Sequence, residues 1–147
     1  MQEAQDALQR FAGLWHLSRR IEDARADSTG SFEGVARLTQ DKAGLRYVES
    51  GTLSLPGAAP MQASRTYLWR AIGPRIAVLF ADGRPFHDFA PKADVAEAAH
   101  WCDPDEYHVR YAFHDWPNWQ SEWQVKGPRK SYRMLSRYRP SNQRLMT

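Results

Sequence analysis

Cysteine is almost missing from this chain. Cys102 is the only one in 147 residues, so no intrachain disulfide forms and a reducing compartment suits the protein. Long apolar runs are missing too, and nothing approaches the roughly 20 residues a transmembrane helix needs. Residues 1–10 are polar and hold no apolar signal core, so export is not expected and a cytoplasmic location is. The chain has no P-loop, no G-x-S-x-G elbow, and no C-x-x-C or H-E-x-x-H pair. Gly13-x-Trp15 is not a nucleotide fingerprint. Internal repeats, low-complexity tracts and linkers are likewise lacking. These absences exclude a disulfide scaffold, a helical membrane protein and the common nucleotide-dependent enzymes. They leave one domain over residues 1–147.

What is present is a folded balance. Hydrophobic residues make up 42% and charged residues 25%, too apolar for a disordered chain. A chain of this length buries a real core without staples. Aromatic residues are in excess, with six Trp, six Tyr and six Phe, and they have to be placed somewhere. The net charge of +3 is local. Residues 123–147 hold seven basic residues and no acid, while the other 122 carry 13 basic against 17 acidic. A basic end on an acidic body attracts phosphates or nucleic acid. The plainer reading is solvated Arg on the outer face of late strands, and no nucleic-acid module accompanies the basic residues.

The dominant period is two. Only residues 2–11 read as helix, with Ala4, Leu8 and Phe11 along one face. Candidate strands are 14–22, 31–39, 45–55, 63–72, 75–81, 84–89, 97–102, 107–114, 119–126 and 130–139, with 96–99 open to being a helical turn. Asp82-Gly83 is a two-residue hairpin signal, because both residues tolerate the positive φ of a type I′ turn. Asp103-Pro104-Asp105, residues 115–118 and Gly127-Pro128 are further turn signals. Strands joined by short hairpins predict one antiparallel up-and-down sheet of about 8–10 strands, closed into a barrel to remove its edges. The long crossovers of a β-sandwich, the main alternative, are not evident. A barrel this small is filled by side chains or holds one small ligand.

Two resemblances support this. A short helix running into Phe11-Ala12-Gly13-Leu14-Trp15, with Arg133 and Arg137 on a late strand, resembles the lipocalin and wider calycin barrels. There the Trp packs at the closed end beneath a basic residue of the last strand. The second runs through Phe11-x-Gly13-x-Trp15, Gly30-x-Phe32-x-Gly34-x-Ala36, Gly44-Leu45-x-Tyr47-x-Glu49-x-Gly51 and Arg65-x-Tyr67-x-Trp69. It continues through Phe80-x-Asp82-Gly83-Arg84-x-Phe86-His87, His100-x-Cys102-x-Pro104-Asp105-x-Tyr107, Trp116-Pro117-x-Trp119 and Gly127-Pro128-Arg129-Lys130-x-Tyr132. This series resembles the DUF6314 family over nearly the whole chain. Ser131 departs from it, since an acidic residue is expected after Lys130. The resemblance implies a fold and no assigned chemistry.

Strand parity picks out a site. The bulkier apolar face of each strand is expected to point inward, and charges on that face are informative because a buried charge needs a partner. Arg19 shares a face with Trp15, Leu17 and Ile21. Glu49 shares one with Leu45, Tyr47, Leu53 and Leu55. Arg65 joins Tyr67 and Trp69, and Lys130 joins Tyr132, Met134, Ser136 and Tyr138. Tyr111 and Trp123 lie on inward faces of their own strands. The basic groups suit an anionic ligand, since a guanidinium grips carboxylate or phosphate at two points. The alternative is an internal Glu49–Arg65 ion pair with no ligand. A two-residue turn at Asp82-Gly83 pairs Ala81 with Arg84 and sets Val78 opposite an inward His87. His87 is then an acid/base, a haem or metal ligand, or a hydrogen-bonded core residue. A three-residue loop over 103–105 puts His100, Cys102 and His108 on one face as a zinc-like triad. A loop of Pro104-Asp105 pairs His100 with Val109 and dissolves it.

The function expected is binding of a small, partly apolar and anionic molecule in an aromatic-lined cavity. Its lining is Arg19, Glu49, Arg65, Tyr67, Trp69, His87, Tyr111, Trp123, Lys130 and Tyr132. The alternative is an enzyme for proton transfer or hydrolysis, using Glu49 or His87 as base and Arg65 as oxyanion stabiliser. A third reading is a nucleic-acid or protein adaptor working through the basic C-terminal strands. No catalytic residue, cofactor or metal is assigned. The small molecule is the expected partner, a membrane is not, and a homodimer is left open.

Overall fold

Alternation becomes strand along most of the chain. The computed structural model describes residues 2–141, so Arg144 of the basic segment lies outside the described residues, and Ala4 lies outside the described side chains. The elements are α1 (Gln2–Gln9), β1 (Gly13–Asp23), β2 (Ser28–Gln40), β3 (Leu45–Ser54), β4 (Met61–Ile72), β5 (Arg75–Phe80), β6 (Pro85–Phe89), β7 (Val95–Cys102), β8 (Asp105–Ala112), β9 (Trp119–Lys126) and β10 (Ser131–Pro140). Residues 96–99 are therefore strand. None of the described helices is long and apolar enough to cross a membrane.

The strands form one antiparallel sheet in the order β6-β5-β4-β3-β2-β1-β10-β9-β8-β7. Every strand pairs with its chain neighbours except at one place, and β1 pairs with β10, Leu17 opposite Tyr138. The exception is β6 and β7, which lie side by side without a ladder. The barrel is therefore nearly closed, where full closure was expected. The reason is local: β6 has only five residues and begins with Pro85, which has no N–H to donate. Side chains close the seam. The Phe86 and His100 rings meet at 5.2 Å, and His87 Nε2 lies 2.8 Å from the Tyr111 hydroxyl.

One end is plugged. Leu8 of α1 and Phe11 just beyond it are buried, and the Phe11 ring packs edge-on against Trp69, Trp116 and Trp119 at 5.0–5.3 Å. Trp15 Nε1 donates to the Phe11 carbonyl at 2.9 Å, tying the plug to β1. The lipocalin-like expectation of a basic residue from the last strand over this Trp is not met. Arg133 and Arg137 have the opposite parity to the buried Ser136 and Tyr138 and face outward. A cation comes instead from Arg10, whose guanidinium carbon sits 4.3 Å from the centre of the Trp116 ring. Trp116 in turn packs edge-on against Trp15 at 5.7 Å.

β2 and β3 approach each other closely at one glycine pair. Gly34 and Gly51 are register partners, and both stand at close backbone approaches. A Cβ at Gly34 would run into the Ser50 carbonyl and lie 2.6 Å from the Gly51 Cα. Both obstacles are backbone, which cannot swing aside as a side chain can. Gly34→Ala is therefore expected to cost about 2–4 kcal/mol, at or above the usual overpacking range. Urea unfolding checks it, and a loss below about 0.5 kcal/mol would show that the ladder yields freely.

Candidate functional site

Above the aromatic plug the barrel encloses a cavity of about 380 Å³ that opens at the opposite end. All ten residues singled out from strand parity line it: Arg19, Glu49, Arg65, Tyr67, Trp69, His87, Tyr111, Trp123, Lys130 and Tyr132. Trp69 lies towards the floor, and Glu49 and Arg65 share a level midway along the β3–β4 ladder, between Leu45–Trp69 and Leu53–Met61. Tyr132 and Lys130 lie at the far end of the β9–β10 ladder from Trp119, towards the mouth.

The charges pair differently from the expectation. Glu49 and Arg65 are register partners, yet Glu49 binds Arg19 from two strands away. Arg19 Nη1 reaches Glu49 Oε2 at 2.7 Å, Nη2 reaches Oε1 at 3.0 Å, and Nε donates to the buried Ser136 hydroxyl at 2.6 Å. Gly34 of β2 stands one diagonal step from both charged residues and leaves room for the bridge. Tyr47 donates to Glu49 Oε1 at 2.7 Å. Its hydroxyl has one proton, already given, so the 2.7 Å contact with Tyr138 is a donation from Tyr138. The network runs Tyr138 to Tyr47 to Glu49, which Arg19 clamps from the other side.

Burial opposes both charges, but the mutual hydrogen bonds and field outweigh it. Glu49 is held below the usual carboxylate range and Arg19 above the usual guanidinium range. Burial pushes the Tyr138 phenol up to about 12 and the Tyr47 phenol well up, so both stay protonated donors.

Arg65 is left over. Its Nη1 lies 3.4 Å from the Tyr67 hydroxyl, and among the described residues it has no carboxylate partner. Lys130 is tied to Asp105 at 3.1 Å.

His87 reaches the interior by two compensating irregularities. The turn is not Asp82-Gly83 alone. Phe80 N donates to the Arg84 carbonyl at 2.9 Å, so three residues turn, with Gly83 at φ 92°. A bulge between Val78 and Leu79 then absorbs the extra residue and restores Val78 opposite His87. The bulge also swings Phe86 inside, where parity had it outside. Phe86 stacks on Phe80 at 4.5 Å and on Trp123 at 5.0 Å. A proline directly before it in a strand was the available signal. Burial lowers the His87 pKa to about 3, Asp88 only partly opposing. The ring is neutral near pH 7.

The 103–105 turn takes neither register considered from sequence. Cys102 pairs with Asp105 and His100 with Tyr107 across a two-residue turn of Asp103-Pro104. His108 thereby pairs with Ala99 and faces away from His100, lying 3.4 Å from Glu97. The three do not form a triad, and among the described residues no group of three or more potential metal ligands is found. Trp119 is buried in the cavity floor and stacks on Tyr138 at 3.8 Å. A wider and more open depression of about 640 Å³ lies on the outer face beside His16, Glu33, Asp115 and Arg137. Its charges are mixed and it faces solvent.

A family model described as a family of unknown function (DUF6314) matches residues 11–140. The chain belongs to this family. No curated protein matches it. Among solved structures it is similar to an S-type phycobiliprotein lyase from Guillardia theta, with a TM-score of 0.66 and 13% identity over 95% of this chain and 93% of that one. At that identity the likeness is one of fold, a calycin-like barrel.

The buried ionisable groups lead to two expected outcomes. Glu49→Leu leaves the Arg19 guanidinium uncompensated and is expected to cost about 3–5 kcal/mol, while Arg19→Met with Glu49→Leu recovers most of that loss. Urea unfolding decides, and a double variant as unstable as the single one would refute the assignment. For His87 the folded pKa lies below the unfolded value, so the unfolded chain takes the proton first as pH falls below about 6.5. Stability is full above that value and is lost progressively towards pH 3, by at most about 1.4 kcal/mol per pH unit. Between pH 7 and pH 5 the wild type should lose about 2 kcal/mol more than His87→Phe, and equal losses in the two proteins would count against a buried neutral imidazole.

Proposed function

We propose that this protein binds a small, partly apolar, anionic molecule inside the barrel. The observation that carries the reading is Arg65, an exposed guanidinium that lines the cavity and whose register partner is already paired with another arginine. A ligand carboxylate, sulfonate or phosphate supplies the missing counter-charge, with Lys130 nearby at the mouth. Below them Tyr67, Phe86, Trp123 and Trp69 offer apolar contact, and the volume falls in the range of small-molecule sites. A barrel of the same fold works as a phycobiliprotein lyase, which fits a ligand-handling role for the cavity.

Two features favour binding over proton-transfer catalysis. Both Glu49 oxygens are engaged and its pKa is depressed, and His87 is too weak a base near neutral pH. An adaptor role for the basic strands is weakened because Arg133 is held by Glu22 and Glu122.

The test uses 8-anilinonaphthalene-1-sulfonate, an aromatic anion. Calorimetry should show one saturable site in the wild type and roughly tenfold or more weakening in Arg65→Met, the cost of losing a charge-assisted hydrogen bond. Arg133→Met, which removes the same charge from the outer face, should bind as wild type. Equal affinity in Arg65→Met would remove the reading.

A further inference from the structure

The outer face of the barrel carries a belt of cations at its plugged end. Arg46 of β3, Arg37 of β2, His16 of β1, and Arg137 and Arg139 of β10 each follow a buried residue in their strand and so point outward. The register sets them side by side. His16 pairs with Arg139, and Arg137 stands two residues along on the same face. Arg37 pairs with Leu14, one diagonal step from His16, and Arg46 pairs with Thr39, one diagonal step from Arg37. The belt thus crosses four neighbouring strands, roughly 14 Å over three strand spacings. Five other arginines each bind a carboxylate: Arg20, Arg70, Arg75, Arg84 and Arg133. The four belt arginines are exposed and make no ion pair among the described residues. Two acids stand at the margin. Glu33 accepts from the Ser18 hydroxyl at 2.7 Å, and Asp115 lines the open depression that His16, Arg137 and Arg139 also line. Asn118 and Gln120 add amide groups there.

The kind of partner follows from what accompanies these cations. A bilayer surface is gripped by apolar side chains that sink into it, and a protein interface by a buried aromatic or apolar anchor. The exposed large apolar residues, Leu55, Met61, Ile72, Val95 and Trp101, all lie off β1, β2, β3 and β10. The residues interleaved with the belt, Leu14, Ser18, Val35, Thr39 and Val48, include no aromatic ring on which a base could stack. What remains is guanidinium, whose planar fork matches phosphate, with hydroxyl and amide donors beside it. We propose that this belt binds the phosphate backbone of a nucleic acid without reading its sequence. The surface is separate from the cavity and does not rest on the binding reading above. It also differs from the basic C-terminal end seen in the sequence, because Arg133 is held by acids and two of the four arginines come from β2 and β3.

The probe is a fluorescein-labelled DNA duplex of about 20 base pairs, titrated with the full chain and followed by anisotropy. Each phosphate neutralised contributes about −0.9 to the salt slope, so two to four contacts predict a loss of roughly 10- to 150-fold in affinity between 50 and 200 mM salt. Two duplexes of unrelated sequence should bind alike. Arg37→Gln with Arg139→Gln should reduce the slope by about 1.8. Arg20→Gln with Arg133→Gln removes the same charge from acid-paired positions and should leave the slope unchanged. All four side chains are on the outside, and thermal melting checks that both double variants fold. Binding of 8-anilinonaphthalene-1-sulfonate should be the same in the belt variant as in the wild type, so the cavity reading and this one can fail separately. No duplex binding at 50 mM salt overturns the proposal. An equal loss of slope in the two double variants overturns it too, since net charge alone is then responsible. Uptake by phosphatidylserine vesicles without duplex binding overturns it in favour of a membrane surface.

Discussion

A guanidinium and a carboxylate are each expensive to take out of water, and the interior of this barrel contains both within 2.7 Å of each other. The pair holds because nothing around it is left half-made. Two tyrosine hydroxyls and a buried serine complete the hydrogen bonds that the ions do not make to each other. The bridge links β1 to β3 across the barrel wall and, through Ser136 and Tyr138, to β10. It needs an intervening strand without bulk, and Gly34 meets that need while sitting at a backbone approach that excludes any Cβ. The same bridge decides what is left for chemistry. Because Arg19 takes Glu49, Arg65 makes no salt bridge to a carboxylate among the described residues. Both Glu49 oxygens are already hydrogen-bonded, to Arg19 and Tyr47.

Much of this was legible in the sequence, for a reason that also marks its limit. A strand's period of two assigns every residue to a face, and in a barrel one face is the interior. Parity therefore identified all ten cavity-lining candidates without any knowledge of the ligand. Parity says nothing about how far a long side chain reaches. Arg19 and Arg65 were equally inward, and the Glu49–Arg65 pairing rested on adjacency alone. Arg19 won because it also met Ser136 and could clamp both carboxylate oxygens. Counting also hides paired errors. The turn at 81–83 has one residue more than expected and the bulge beside it absorbs one, so His87 arrived where expected by a different route. Phe86, lying between the two irregularities, was lost. Where no second irregularity compensates, as at Asp103-Pro104, the register alone separated His108 from His100 and Cys102.

The aromatic excess has two duties that the fold makes inseparable. At the plugged end Phe11, Trp15, Trp116 and Trp119 pack edge-on into one aromatic cluster. Along the seam Phe86, His87, His100 and Tyr111 substitute for the missing β6–β7 ladder. A backbone ladder has a fixed spacing, whereas stacked rings and a single His–Tyr hydrogen bond tolerate small changes in separation. The weakest join of the barrel is thus made from side chains that also wall the cavity. A molecule seated against Phe86 and Trp123 would add contacts on both sides of that join at once. Under the binding proposal, ligand occupancy and closure of the sheet would draw on the same contacts, and a bound ligand would stabilise the join that backbone hydrogen bonds make elsewhere around the barrel.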